Sequence, residues 1–264
     1  MRESARPELA HEIEQVNREK YEQEYDVASA SLAVPTDCNE YFYQLTRARL
    51  DLIARHGHRK AVLDICCGTG DYLFESRHFI ERGVGIDFSP KMIFAANAKK
   101  ARINAPHIEF ALCNARQIPI EEQSFDLAYS FSSLYHIPWQ REVVLEAARI
   151  LKPNSVAILE FGNLHSINTV VCRAYPELAI PCHITIREMN QAIEDAGLQV
   201  LEKKRFQILP LWGDKPRWLR PLLHPFWKRA LQSGMRKRTL DELLCSLPVL
   251  GGYCFRQVFI CRKA

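Results

Sequence analysis

Short apolar runs alternate with segments of helical periodicity along most of the chain. The apolar, β-prone runs predict strands near residues 61–66, 83–87, 108–112, 125–130, 155–161, 198–209 and 253–262. Helical periodicity predicts helices between them, near residues 71–82, 90–103, 139–150 and 185–196. Because alternating strands and helices build a parallel sheet with helices on both faces, the chain is predicted to have an α/β fold.

The N-terminal region precedes this alternation. Two helices are predicted near residues 7–26 and 37–56, separated by a break that begins at Pro35. We therefore predict a helical cap over residues 1–57 and a main domain over residues 58–264.

Two further segments are additions to the alternating pattern. They are the loop at residues 162–184 and the stretch at residues 210–250, which lies between the last two predicted strands. Ligands of open α/β sheets bind beyond the carboxyl ends of the strands, where additions of this kind form a pocket. Both segments are predicted to form a substrate lid.

A glycine-containing turn follows the first predicted strand. Gly68 and Gly70 come after the apolar run and directly before a helical segment. Glycines at such a corner let the backbone turn tightly and approach a ligand, which then faces the helix N-terminus. The next strand ends at Asp87, 19 residues after Gly68, a spacing that places a carboxylate on ribose hydroxyls. The pattern predicts a nucleoside-binding site.

The turn differs from a dinucleotide-binding fingerprint. Leu73 stands where the third glycine of that fingerprint would be, and the acid Asp64 precedes the glycines. An acid in that position suits a ligand with an amine or a cation. A Rossmann-like domain without any cofactor is the alternative interpretation.

These residues resemble the class I S-adenosylmethionine (SAM)-dependent methyltransferases. The run from Leu63 to Asp71 is similar to the first motif of the ubiquinone/menaquinone C-methyltransferase branch, and the run from Gly85 to Met92 is similar to the second. The resemblance covers roughly residues 60–162 and concerns the cofactor half. It implies a Rossmann-like sheet of seven strands, mostly parallel, with the last strand antiparallel between the fifth and sixth.

The resemblance also implies roles for individual residues. Asp64 would face the methionine amino group of SAM, Gly68 and Gly70 would pass beneath the cofactor, and Asp87 would hold the ribose. Phe88 and Met92 would pack near the adenine. In the third motif the family usually has Asp where this chain has Asn114, whose carbonyl keeps an acceptor for the adenine amino group. The other predicted cofactor-binding residues are Cys67, Ala115 and Ser130. No metal is expected, and the product would be S-adenosylhomocysteine (SAH).

Methyl transfer from a sulfonium is an in-line displacement that depends mainly on holding two reactants in register. His136 follows the fourth strand and is the candidate general base, because a near-neutral pKa suits proton abstraction from a phenol or enol. A structural histidine beneath the loop is the alternative.

Arg116 is interpreted as a solvated surface residue. The substrate or lid candidates are Tyr21, Tyr25, Tyr135, His165, His183 and Trp212. Glu160 ends the fifth strand and could also reach the pocket mouth.

Composition limits the class of protein. The chain has 264 residues, of which 47% are hydrophobic, enough for one good core. It has no apolar run long enough for a spanning helix, and its acidic N-terminus is not typical of a signal peptide. Its nine cysteines include no Cys-x-x-Cys pair, which favours reduced, buried thiols in a cytoplasmic protein over a zinc site or a disulfide framework.

Charge is distributed unevenly. Residues 1–40 contain ten acids and four bases, whereas residues 203–238 contain eleven bases and one acid. A helix is predicted from Pro225, with Phe226, Trp227, Ala230 and Leu231 on one side and Lys228, Arg229 and Arg236 on the other. This pattern suits a lid helix packed on the core, peripheral contact of residues 210–238 with a membrane or lipid-like acceptor, or contact with RNA.

We therefore expect a SAM-dependent methyltransferase that acts on oxygen or carbon of a small or amphipathic acceptor. An RNA methyltransferase that uses the basic 203–238 segment is an alternative, as is a SAM-binding module without activity. Methylation of an adenine or amide nitrogen is disfavoured, because the family's amino-methylating branch has an Asn-Pro-Pro-Tyr-like motif that is absent after the fourth strand.

Overall fold

The computed structural model describes residues 7–24, 41–235 and 238–264. Its helices are α1 (Pro7–Glu24), α2 (Tyr41–Gly57), α3 (Asp71–Ser76), α4 (Pro90–Ile103), α5 (Gln140–Ile150), α6 (Ile167–Arg173), α7 (Ile186–Asp195), α8 (Arg220–Leu223), α9 (Pro225–Gln232), α10 (Leu240–Ser246) and α11 (Pro248–Gly251). Two short 3₁₀ helices cover Leu134–His136 and Arg217–Leu219. No helix of the described residues is long and apolar enough to cross a membrane.

Seven strands form the main sheet. In chain order they are β1 (Ala61–Ile65), β2 (Arg82–Asp87), β3 (Ile108–Leu112), β4 (Phe125–Ser130), β5 (Leu151–Gly162), β6 (Leu198–Phe206) and β9 (Arg256–Lys263). Strands β7 (Gly234–Met235) and β8 (Arg238–Thr239) form a separate two-stranded ribbon between β6 and β9 in the chain. The spatial order is β3-β2-β1-β4-β5-β9-β6. Strands β1 to β5 pair in parallel, and β9 pairs antiparallel with both β5 and β6. The predicted Rossmann-like α/β fold is confirmed, including the antiparallel last strand and the insertion before it.

Two apolar layers cover the sheet. Alternate residues of β1 face opposite sides, so Leu63 packs in the layer that contains Val143 of α5, and Val62 packs in the layer that contains Ile53 of α2. Helix α2 therefore completes the core of the sheet. The division of the chain at residues 57 and 58 stays a prediction.

Several element ends differ from the predicted ones. Helix α3 ends at Ser76, well before residue 82, because the chain turns there and buries Ile80. Strand β6 ends at Phe206 because Gln207 adopts a φ of 67° and its backbone N–H is bound by the Asp241 carboxylate of α10 at 2.7 Å. The capping box of Thr185 and Glu188 that starts α7 is confirmed.

The cysteines do not all remain thiols. Cys245 of α10 and Cys254, just before β9, are joined in a disulfide, so the prediction of reduced cysteines is wrong for this pair. The spacing of the cysteines did not indicate this disulfide, because the connection depends on how the insertion folds back. Cys38 lies outside the described residues, and the other six cysteines are free. The described residues contain no group of His, Cys, Asp and Glu that could hold a metal ion.

A buried carboxylate joins three separate parts of the chain. Glu160, near the end of β5, is fully buried and binds Arg49 of α2 at 2.6 Å and Arg256 of β9 at 2.5 Å. Arg49 also donates to the Tyr72 hydroxyl at 2.8 Å. Burial by itself raises the pKa of Glu160, but the two guanidinium groups outweigh it and hold that pKa below the ordinary value. Glu160 therefore stabilises the packing of α2, β5 and β9, and its carboxylate is not available to a ligand at the pocket mouth.

We expect Glu160→Gln to lower the free energy of unfolding by about 3–5 kcal/mol, because it leaves two buried guanidinium groups without their counter-charge. Urea unfolding measures the loss. Since the folded-state pKa is depressed, this contribution is complete above the ordinary glutamate pKa of 4.5 and disappears as the pH falls through the lower folded value.

Glu202→Gln is the matched control. Glu202 pairs with Arg55 at 3.0 Å, but both side chains are largely exposed, so its loss should cost roughly 1 kcal/mol or less. Equal losses in the two variants would contradict the proposed role of Glu160.

Candidate functional site

The turn after β1 is built on left-handed backbone. Gly68 has a φ of 54° and Gly70 a φ of 77°. A Cβ on Gly70 would lie 2.4 Å from the Phe110 ring, so both conformation and packing require glycine there. A Cβ on Gly68 would meet nothing within 4 Å, so conformation is the constraint at that position.

Asp87 is fixed by the same turn. Its carboxylate accepts hydrogen bonds from the Gly68 N–H at 2.9 Å and the Ser89 N–H at 3.0 Å, and the residue is buried. Burial raises the pKa of Asp87, although these backbone donors oppose the shift. The spacing read from the sequence therefore places the acid directly on the glycine turn.

Asp87 lines an open cavity of about 780 Å³, which we call the first cavity. Its walls come from α1, the glycine turn, the end of β2, the segment after β3 and the 3₁₀ helix after β4. Four of the predicted cofactor-binding residues line it: Asp87, Phe88, Asn114 and Ala115. The Phe88 ring contacts Tyr21 at 5.8 Å, and the guanidinium of Arg18 lies 5.3 Å above it.

The other predicted cofactor-binding residues do not line this cavity: Asp64, Cys67, Gly68, Gly70, Met92 and Ser130. Cys66 lines the cavity in place of Cys67, whose sulfur lies only 2.8 Å from where a Cβ on Gly85 would stand. Asp64 is 2% exposed, and its carboxylate lies beside the buried Tyr129 hydroxyl. Burial raises the pKa of Asp64 well above the ordinary value.

Helix α1 covers the first cavity and is fastened to it. The Asn17 amide donates to the backbone oxygens of His136 at 2.8 Å and Ile180 at 3.0 Å, and accepts from the Ile180 N–H at 2.6 Å. Glu14 accepts from Arg116 at 3.0 Å and from the Trp139 indole at 3.1 Å. The predicted role of Arg116 as a solvated surface residue is wrong, because it joins α1 to the cavity wall.

The contacts of Glu14 and Asn17 could not be predicted from the sequence, because their partners lie more than 100 positions away in the chain. Tyr25, another predicted lid residue, lies outside the described residues.

A second cavity of about 810 Å³ adjoins the first. Tyr21 and His136 line both cavities, so the two meet at these side chains. The apolar wall of the second cavity includes Phe42, Tyr135, Leu178, Pro181, Trp212 and Phe255, and its polar lining comprises Asn168, Cys172, His183, Gln207 and Arg256. The predicted lid residues Tyr21, Tyr135, His183 and Trp212 therefore lie together, whereas His165 is exposed and does not line either cavity.

Two histidines of the second cavity are uncharged at neutral pH. Burial lowers the pKa of His136 to about 4 and the pKa of His183 to about 3. Nδ1 of His136 has no hydrogen-bond partner among the described residues, whereas Nδ1 of His183 lies 2.7 Å from the Thr169 hydroxyl. Neutral imidazoles can accept a hydrogen bond or a proton.

Known proteins resemble this chain in the same region. A family model described as a methyltransferase domain matches residues 62–154. A demethylmenaquinone methyltransferase of Lactococcus lactis is 36% identical over 96 residues, which cover 35% of this chain and 38% of that protein. The O-methyltransferase resE of Aspergillus sclerotiorum is 29% identical over 203 residues, covering 74% of this chain and 73% of its own.

A solved structure shares the fold. The structure of geranyl diphosphate methyltransferase in complex with GPP and sinefungin matches with a TM-score of 0.58 and 17% sequence identity. The match covers 84% of this chain and 79% of that one. The sheet order, the acid bound to the glycine turn and the matched family model agree: residues 62–154 form a methyltransferase domain of the class I SAM-dependent kind.

Proposed function

We propose that this protein transfers the methyl group of SAM to oxygen or carbon of a small or amphipathic acceptor bound in the second cavity. The observation that carries the proposal is the meeting of the two cavities at Tyr21 and His136. A cofactor in the first cavity and an acceptor in the second would face each other there, as an in-line transfer requires.

The residues of the first cavity fit SAM. Ile86, Phe88 and Ile137 supply apolar walls for an adenine, and Asp87 presents a carboxylate that the turn has already oriented for ribose hydroxyls. Asp64 does not line this cavity, but its buried carboxylate near the end of β1 would suit a cationic amino group beside the glycine turn. When bound, SAM supplies a methyl group on a sulfonium whose departure needs no proton.

The chain's own residues would then exclude water and hold the acceptor. Helix α1, fastened through Glu14 and Asn17, covers the first cavity, and its Tyr21 lies at the junction with the second. His136 remains a candidate base because of its place at this junction, although no described residue orients its ring through Nδ1.

The lining of the second cavity supports an amphipathic acceptor. Aromatic and aliphatic side chains form much of the wall, while polar groups, among them His183, Gln207 and Arg256, supply the rest. The relatives' names point to similar acceptors, since one is a demethylmenaquinone methyltransferase and the other an O-methyltransferase.

An incubation of the purified protein with methyl-labelled SAM and fractionated cell extract tests the function. We expect label in the organic-soluble fraction, because the proposed acceptor is amphipathic. Label in RNA would contradict the proposal in favour of an RNA methyltransferase. Binding of SAM with no label in any fraction would contradict it in favour of a binding module.

We expect Asp87→Ala to weaken SAM affinity by about ten- to a hundredfold, because hydrogen bonds to a charged group contribute roughly 1.5–3 kcal/mol each. Calorimetric titration measures the change. Asp51→Ala, which removes a largely exposed carboxylate of α2, is the control and should bind SAM normally. Unchanged affinity in Asp87→Ala would exclude the proposed ribose contact.

We also propose that the insertion contacts anionic membranes. The interfacial surface consists of Arg217, Trp218, Phe226, Trp227, Lys228 and Arg229, all on or beside α8 and α9. Trp218 is 71% exposed and Phe226 60% exposed, while Leu231 of the predicted apolar face is buried in the fold. Its three basic residues have no ion-pair partner among the described residues, unlike Lys215 and Arg220 nearby. Exposed aromatics beside free cations suit anionic headgroups.

Vesicle flotation tests this contact. We expect the protein to bind phosphatidylcholine vesicles that contain phosphatidylserine, and to bind pure phosphatidylcholine vesicles weakly, since the cations need anionic lipid. The double variant Trp218→Ala, Phe226→Ala should bind severalfold less. Phe94→Ala, which removes an exposed ring of α4, should bind like the natural protein. No flotation with either lipid would contradict the proposal.

A further inference from the structure

The hydroxyl of Thr169 lies at the centre of a buried hydrogen-bond cluster beside the second cavity. Its Oγ1 lies 2.8 Å from the backbone oxygen of Asn163, 3.1 Å from Oγ of Ser166 and 2.7 Å from Nδ1 of His183. Thr169, Ser166 and Asn163 are all buried. Helix α6 and the segment before it therefore hold the hydroxyl in one place.

This cluster favours one tautomer of the His183 ring. The Thr169 hydroxyl has a single proton, and the carbonyl oxygen of Asn163, which only accepts, lies within hydrogen-bond distance of it. When Thr169 donates to Asn163, its Oγ1 accepts from His183, and the imidazole proton is then on Nδ1. In that tautomer the other ring nitrogen, Nε2, carries a free lone pair.

The lone pair of His183 is available to a ligand. The side chain lines the second cavity, and Nε2 has no hydrogen-bond partner among the described residues. Tyr135 and Phe255 contact the ring at centroid distances of 6.0 and 4.9 Å, and a Cβ on Gly162 would lie 2.8 Å from its Cδ2. The ring is thus held by packing as well as by Thr169. His136 lacks such an anchor, since its Nδ1 has no partner among the described residues.

We infer that the acceptor is a hydroxyl-bearing aromatic molecule whose hydroxyl donates a hydrogen bond to Nε2 of His183, with Thr169 as the positioning residue. This inference rests on the proposed function and specifies the acceptor class and the group that receives its proton. In the transfer, an oxygen lone pair of the acceptor forms the bond to the methyl carbon. The carbon–sulfur bond breaks with its electrons staying on sulfur, and the hydroxyl proton moves to Nε2.

A weakly basic imidazole is sufficient for this proton transfer. Burial keeps the pKa of His183 at about 3, so the ring is neutral and able to accept at neutral pH. The hydroxyl oxygen becomes strongly acidic as its bond to the methyl group forms, because it then carries positive charge. The proton is therefore transferred downhill late in the reaction, without a strong base being needed to ionise the free acceptor.

Equilibrium dialysis of two probes against the full chain loaded with SAH tests the inference. The probes are 2-naphthol and 2-methylnaphthalene, which have the same shape but differ in the hydroxyl. We expect the natural protein to bind 2-naphthol about tenfold more tightly, the effect of one well-placed hydrogen bond in a buried site. His183→Asn keeps an N–H toward Thr169 while removing Nε2, and it should abolish this preference.

The positioning role of Thr169 has its own readout. Thr169→Val should lose most of the preference for 2-naphthol, and Thr169→Ser, which keeps the hydroxyl, should restore it. His165→Asn makes the same change on an exposed histidine of the same loop and should leave the preference intact.

Several outcomes would overturn the inference. They are equal affinity for the two probes, no binding of either probe, a preference that survives in His183→Asn, and a preference lost in His136→Asn but kept in His183→Asn. Failure of the protein to bind SAH would instead refute the proposed function itself. The two failures are therefore distinguishable.

Discussion

The pairing of one buried carboxylate with two guanidinium groups determines how the parts of this molecule meet. Glu160 lies near the end of β5, Arg49 on α2 and Arg256 at the start of β9. A buried charge without its partner is strongly destabilising, so these three elements can only pack in the arrangement that brings the charges together. Arg256 also donates to the Tyr135 hydroxyl at 3.1 Å. The ion cluster thereby fixes one wall of the second cavity.

Burial also sets the ionisation of the candidate site. The same loss of water that raises the pKa of Asp64 lowers those of His136 and His183, since in each case the charged form is disfavoured. Asp64 therefore favours a cationic ligand group beside it, and the two histidines remain hydrogen-bond acceptors. A buried site of this kind suits a ligand with a cationic sulfonium, because polar contacts inside it are strengthened.

Helix α1 couples the two cavities. Asn17 binds the backbone of His136, which lines both cavities, and the backbone of Ile180, which lies in the loop beside the second. Movement of α1 away from the first cavity would break contacts at the second as well. The cover over the proposed cofactor site and the wall of the proposed acceptor site thus form one hydrogen-bonded unit.

The local sequence was sufficient for the sheet, the glycine turn and the acid at its end. Strand periodicity and the spacing from Gly68 to Asp87 depend on residues close in the chain, so they could be read directly. The sequence did not reveal the partner of Glu160, the contact of Arg116 with Glu14 or the orientation of His183. Each depends on residues brought together from different elements, because a buried charge or ring nitrogen is satisfied by whatever the folded chain places beside it. Tertiary structure alone decided those contacts, and with them the shape of the second cavity.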